Sequence, residues 1–523
     1  MYTTDGSTPS PTNGTTYTDP LTISATTVLR AVATKAGWFD SKVASATYLV
    51  MDEVLAQTGT PSGWPAGPVN GQVFDYGLDQ AAVAADPATI AASLQAAPTL
   101  SITTDQANLT DPTTGIYTNP SQSGSAWERP ASVELIDGAT GFQLNAGLRL
   151  KGGYSRTGEN PKHSFRLTFA PQYEGMLTYP AFPEGTIQTF AELELRTEQN
   201  YGWQTPDAPR NTMLRDVWLR DSQEAIGDPS TRSRWVHLFL NGQYWGLFML
   251  KDRPSINHAA QRWGGSPSAY DVLKHSDTYG YEVSDGDDTE WLQLWQMIAD
   301  KVVTNQELST IGTMVDLDNL VDFMFLNMAA GNRDAAPAEI LYNQRANNWF
   351  AVGGNGQPFR FFTDDGEHTL GVDDRDPTLD VTGPYPTGLA NPYWSAEYFN
   401  PGWLFQSLLN RTDFRIRVRA RAAVLFADGG PLDTAPSLAR WSARQTQGDP
   451  LVDAEAARWG DFTGHSYGRT EWQTEVDWVV NEWFPQRTEI MRSQLEARAW
   501  WLSATGIADS GYEPAVRINR PAS

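Results

Sequence analysis

The stretch with the densest chemical potential is LNMAAGNRDAAPAEILYNQRANNWFAVGGNGQPFRFFTDDGEHTL, residues 326–370. An apolar helix ends at Gly331, and a polar loop then presents Asp334. Strand-like runs follow at 340–342 and 348–352, then a Gly-Gly-Asn-Gly turn, then a run at 359–362 that leads straight into Asp364, Asp365, Gly366, Glu367 and His368. Two carboxylate loops separated by short strands can meet at one end of those strands. Phosphoryl transfer uses that layout: one carboxylate orients the attacking hydroxyl and a second holds metal on the phosphates. A plainer reading stands beside it. The chain carries 62 Asp and Glu, so two of them close in sequence mean little alone, and Asp-Asp-Gly is also an ordinary turn. His368 beside Glu367 and Asp365 would suit a metal cluster, yet no His-Glu-x-x-His or comparable ligand spacing accompanies it.

Such chemistry also needs cations for the phosphate oxygens. Candidates are Lys162 and Arg166 in PKHSFRLTF, with Arg149, Lys151 and Arg156 nearby, and GGYSRTG could turn over phosphates. Against this, a lone strand lysine is more often solvated than a ligand. The acidic turns at 285–288 and 373–376 lack a full calcium-loop pattern. The run Arg411, Arg415, Arg417, Arg419 and Arg421 reads as the solvated face of a helix. No Gly-x-Ser-x-Gly elbow supports a hydrolase.

The elements that must position these residues come in a simple order. Strand signals lie at 99–103, 133–136, 147–151, 164–169, 193–196, 236–240 and 244–250, and Asn241-Gly242 between the last two is a strong hairpin signal. After residue 290 the pattern turns helical. Leu317, Leu320, Val321, Met324, Phe325 and Met328 share one helical face, with Asp316 as cap and Gly331 as stop. Further helices are expected over 403–427 and 470–501, a short one over 87–96, and a linker over 58–71. Strands first and helices second indicate an α+β fold with an N-terminal β-rich lobe and a C-terminal helical lobe.

Composition sets outer limits. The chain has 523 residues, enough for two or three domains, and 38 Lys and Arg give a formal charge of −24. That balance argues against a nucleic-acid partner. With no cysteine, disulfides and thiolate metal sites are excluded. No apolar run reaches 18 residues, so no membrane span is expected. Residues 2–50 alternate strand-like runs and turns. They resemble part of a chitobiase/β-hexosaminidase C-terminal-type β-sandwich that begins about two strands late, which implies a truncated N-terminus and an exported, cell-surface protein.

The blocks LRLKGGYSRTGENPKHSFRLTF, LELRTEQN, NTMLRDVWLRD, VHLFLNGQYWGLFMLKDR, YDVLK, FRFFTDDGEHTL and LFQSLLNRTDFRIRVRARA, in that order, resemble the CotH family, named for a spore-coat protein kinase. The resemblance implies an atypical two-lobed kinase-like domain over 99–430. A partial sandwich (1–50) and a linker with a short helix (51–98) would precede it, and a helical extension (431–523) would follow. It implies ATP with Mg²⁺ or Mn²⁺ as cofactors and a Ser or Thr of a surface protein as acceptor. Asp334 matches the catalytic loop position, and Lys162 and Arg166, with Arg149, match the phosphate-binding strand. Arg215 matches a helix facing nucleotide; Asp365 and Glu367 match metal-binding positions, with Glu339 where relatives carry an Asn-like ligand. The Trp-Asp usual before the second acidic position is Asp364-Asp365 here. Extra negative charge beside phosphates is expected to weaken ATP binding. The alternative class is a non-catalytic surface scaffold associated with cell wall or polysaccharide, or a glycan-binding protein using exposed tryptophans.

Overall fold

A computed structural model describes residues 1–501 except 183–184, 186, 206–207, 277–278, 301–302, 337–344, 386 and 389–390. Glu339 and the strand expected at 340–342 lie outside the described residues. The chain is mixed α and β. It divides into two compact units, one of residues 1–212, 233–253 and 446–475, the other of 213–232, 254–445 and 476–523. Helical segments after residue 430 contribute to both units.

The first unit opens with a small antiparallel sheet, β1 (Tyr2–Thr3), β2 (Thr27–Ala31) and β3 (Ala44–Tyr48). Its third strand is tied down by Thr47, which donates N–H to Glu134 (2.7 Å) and Oγ1 to Ser101 (2.8 Å). Next come β4 (Thr99–Thr103), β5 (Arg129–Asp137), β6 (Thr140–Lys151), β7 (Ser164–Thr168), a ribbon of β8 (Leu177–Thr178) and β9 (Thr189–Phe190), β10 (Glu192–Arg196), β11 (Ser233–Leu240) and β12 (Gln243–Lys251). Seven of these close a barrel in the order β10-β12-β11-β4-β5-β6-β7. Period-two alternation fills it: Val133, Leu148, Phe165, Leu167, Leu193, Leu195, Leu238 and Leu250 are fully buried. Asn241 and Gly242 both take left-handed φ, +48° and +80°, the conformation a two-residue turn between β11 and β12 demands. The segment expected as a linker over 58–71 has no regular structure, but it buries Trp64, whose ring stacks 5.2 Å from Trp245.

The second unit contains the sheet β14-β13-β15-β16, made of β13 (Tyr270–Lys274), β14 (Glu282–Asp285), β15 (Trp349–Gly354) and β16 (Gln357–Thr363). The helix Leu317–Ala329 starts on Asp316, whose side chain accepts from Asn319 N–H, and every one of its residues is buried. An amphipathic helix would leave its polar side wet; here that side is internal. Asn319 exchanges hydrogen bonds with the backbone of Phe361 on β16. Asp322 takes Nε and Nη2 of Arg421 at 2.7 and 2.6 Å, and Asp318 pairs with Arg417. The expected solvated arginine face is thus corrected at Arg417 and Arg421. Four-residue spacing on both helices matches each arginine to an aspartate, so charge goes inward wherever it finds a fixed partner. The helix expected over 403–427 is two, Pro401–Leu408 and Thr412–Leu425. The one expected over 470–501 is Arg469–Trp478, a π-helical turn Val479–Trp483, and Phe484–Glu496.

One buried histidine of the barrel makes stability pH-dependent. The His237 ring lies 2.9 Å from Ser93 O through Nε2 and 2.9 Å from Tyr244 OH through Nδ1. A carbonyl only accepts, so Nε2 carries the proton and the Tyr244 hydroxyl donates to Nδ1. Burial, aided by the Lys162 charge, pushes the imidazolium pKa from 6.5 to about 4. The unfolded chain therefore takes a proton first as pH falls. The contribution is whole above pH about 6.5 and is lost as pH drops to about 4, amounting to about 3 kcal/mol. Urea unfolding at pH 7, 5.5 and 4.5 should show this fall in wild type and a shallower one in His237→Gln; equal slopes would remove His237 as its source.

Candidate active site

In the second unit the two carboxylate loops meet through their backbones. Leu370 N–H donates to Ala330 O (2.8 Å) and Arg333 N–H to His368 O (3.2 Å), so residues 330–333 and 368–370 run side by side. Asp334 follows the helix Leu317–Ala329 and Asp365 follows β16, so these backbone bonds bring the two acidic loops together.

The Asp334 carboxylate is held by two neighbouring amides. Asn347 Nδ2 reaches both its oxygens at 3.1 and 3.0 Å, and Asn348 Nδ2 reaches Oδ2 at 3.0 Å and also Asp365 O at 3.4 Å. Burial pushes its pKa up to about 6, and the Asp365 charge adds to this; His368 and the two asparagines pull the other way. Burial also works against a charged His368. The Asp373 carboxylate, 3.7 Å from its Nδ1, together with Asp334 and Glu367 outweighs that and lifts its pKa above the ordinary range. Both asparagines escaped notice in the sequence. Their signal was a doubled Asn at a strand entrance, where Asn348 adopts φ +52°.

The acidic loop is splinted by the helix Arg215–Ile226. Asp216 Oδ1 accepts Gly366 N–H at 3.0 Å, while Asp216 Oδ2 takes Arg220 Nε and Nη2 at 3.1 and 2.8 Å. Arg215, expected to face nucleotide, is fully buried and its Nε donates to Thr369 O at 3.2 Å. Gln223 bridges Phe361 O and the Thr363 N–H on β16. A Cβ on Gly366 would lie 2.9 Å from Leu219 Cδ2 and 3.1 Å from Asp216 Cα, so any side chain there would crowd the helix. Asp365 itself sits at φ +51°, and Asp364 and Glu367 are buried.

Hard carboxylate oxygens suit magnesium, which commonly binds through one or two carboxylates and completes its shell with phosphate and water. Asp365 and the buried Glu367 supply oxygens of that kind. Among the described residues no group of three His, Asp or Glu forms a ready cation cage.

The expected phosphate-binding cations belong to the first unit. Arg149, Arg166, Glu194 and Lys251 form one row across β6, β7, β10 and β12. Arg149 pairs with Glu128 (3.3 Å) and Glu192 (3.7 Å), and Arg166 with Glu194 (3.3 Å). Lys162 is buried, donates to Leu247 O at 2.9 Å and pairs with Glu455 on the helix Val452–Trp459. Glu455 in turn accepts Leu247 N–H at 2.7 Å. That helix packs against β12 at Gly246 (φ +112°), where a Cβ would stand 2.5 Å from Trp459 Nε1.

A family model described as CotH kinase protein matches residues 148–491, and one described as Fn3 associated matches residues 1–48. The N-terminal sheet is thus matched as a module of the Fn3-associated type, where the sequence resembled a chitobiase-type one. No curated protein matches the chain. No helix among the described residues is long and apolar enough to cross a membrane. The first match takes in the basic strands, the splinting helix, both carboxylate loops and the helix bearing Glu455; with more than half its length so matched, the chain belongs to the CotH kinase protein family.

Proposed function

We propose that the protein transfers phosphate from ATP to a Ser or Thr hydroxyl of a surface protein, with Mg²⁺ or Mn²⁺ as cofactor. The observation that carries this reading is the link between the two loops made by Asn348, whose Nδ2 reaches both the Asp334 carboxylate and the Asp365 carbonyl. Asp334 would orient the acceptor hydroxyl and take up its proton, a role suited by its raised affinity for a proton. Asp365, with Glu367, would hold the metal, whose charge would neutralise phosphate oxygens when bound. Arg149 and Arg166 have carboxylate partners of their own within the first unit. Lys162 pairs with a helix glutamate, as the strand lysine of protein kinases does. Arg215 acts from beneath, through Thr369.

The second reading, a non-catalytic scaffold at the cell surface, is favoured by Glu367, which is only 3% exposed. Calorimetry with Mg-ATP and Mn-ATP separates the two. Metal-dependent binding is expected in wild type, with at least about a hundredfold loss in Asp365→Ala and phosphotransfer abolished in Asp334→Asn. Absence of binding at millimolar ATP would leave the scaffold.

A further inference from the structure

The helical segment near the C-terminus carries two tryptophans five residues apart. In an α-helix such a pair would point about 140° apart, at 100° per residue. Here the turn Val479–Trp483 is π-helical, closed by a hydrogen bond from Phe484 N–H to Val479 O. Pro485 follows and has no N–H for a regular α-turn. The wide turn brings Trp478 and Trp483 to the same side, with ring centroids 6.4 Å apart.

That side meets the backs of both carboxylate loops. Gly331, three residues before Asp334, has φ +60°, and a Cβ there would lie 2.6 Å from Cη2 of Trp483. Gly371, three residues after His368, has φ +66°, and a Cβ there would lie 2.5 Å from Cη2 of Trp478 and 2.9 Å from Cε3 of Trp483. One indole therefore presses its two edges on the two loops at once, behind the point where Leu370 bonds Ala330. Arg487 fixes that ring from its own helix. Its guanidinium lies over the Trp483 ring at 5.0 Å and donates to Met328 O, Ala329 O, Pro377 O and Leu379 O.

We propose that Trp483, with Trp478, is a positioning residue that sets the spacing of Asp334 and Asp365 through Gly331 and Gly371. The consequence for ATP rests on the phosphoryl-transfer reading; the consequence for loop geometry does not. Both tryptophans meet the loops at glycines, so each acts through the backbone it lies against. Sites of this kind lose function steeply when a supporting group lets the reacting groups drift.

The test compares Trp483→Phe, which keeps a ring but shortens the edge reaching Gly331, with Leu495→Ala, a buried change on the same helix. Amide exchange at Arg333 and Leu370 should accelerate about tenfold or more in Trp483→Phe and stay within about twofold of wild type in Leu495→Ala. Metal-dependent ATP affinity should fall by at least about tenfold in Trp483→Phe alone. Equal exchange in the two variants, or wild-type exchange in Trp483→Phe, overturns the positioning role. If wild type shows no ATP binding while exchange still separates the variants, phosphoryl transfer fails and the positioning of the loops stands.

Discussion

Lys162→Met is expected to destabilise the barrel unit by about 3–5 kcal/mol, whatever becomes of ATP binding. Its ammonium is buried, pairs with Glu455 and donates to Leu247 O. Burial pulls its pKa below the ordinary lysine range, and Glu455 pulls it back. Removing the lysine strands a carboxylate that is 2% exposed, and breaking one side of a buried ion pair is far more costly than replacing both sides. The double variant Lys162→Met, Glu455→Gln keeps an acceptor for Leu247 N–H and has no charge left to strand. It should recover most of the loss, read as the urea midpoint in a double-mutant cycle. That variant also settles what the lysine does. A folded double variant that binds Mg-ATP as wild type does makes Lys162 a structural residue joining the helix Val452–Trp459 to the barrel. A folded one that no longer binds makes it a phosphate contact, and additive single losses would dissolve the pair altogether.

The same lysine shows where sequence reading stops. Lys162 stood out because it is basic and lies next to a strand, but its partner is 293 residues away. No local pattern encodes a pairing of that range. The barrel strands were legible one by one, since alternation and the Asn241-Gly242 turn are local properties. Closure was not: β4 runs parallel to β11 through pairs such as Leu100 with Leu238, and only the assembled fold places them side by side. At the candidate site, the hairpin of β15 and β16 made legible only that Asp365 returns beside Asn348, whereas the approach of the Asp334 loop rests on backbone bonds that no spacing encodes. The hold of Asn347 and Asn348 on Asp334 was not legible, since asparagine at a strand entrance usually signals a turn and nothing more. Trp478 and Trp483 were hidden by the helical period itself, which places them on different faces until one turn widens.

Asp322→Ala should be the most damaging single change in the helical unit, also by about 3–5 kcal/mol. Asp322 is fully buried in the middle of the helix Leu317–Ala329 and takes two hydrogen bonds from Arg421, which is 1% exposed. The arginine cannot shed its proton to escape the low-dielectric interior, so the loss of its carboxylate falls on the fold. Asp318 and Arg417 repeat the pairing one turn away, but both are more open to solvent, and Asp318→Ala should cost about 1 kcal/mol or less. Chemical unfolding of the two variants tests this ranking, and equal losses would refute it. If the charge rather than the shape of the pair is the issue, Asp322→Leu with Arg421→Met should lie closer to wild type than either single variant. Asp322 lies twelve residues before Asp334 on the helix that leads into its loop, so loosening at this pair should also speed amide exchange at Arg333. A helix whose polar residues all face inward cannot slide or roll to a second packing without breaking ion pairs. The buried aspartates thereby fix the register in which that helix delivers Asp334 to Asp365.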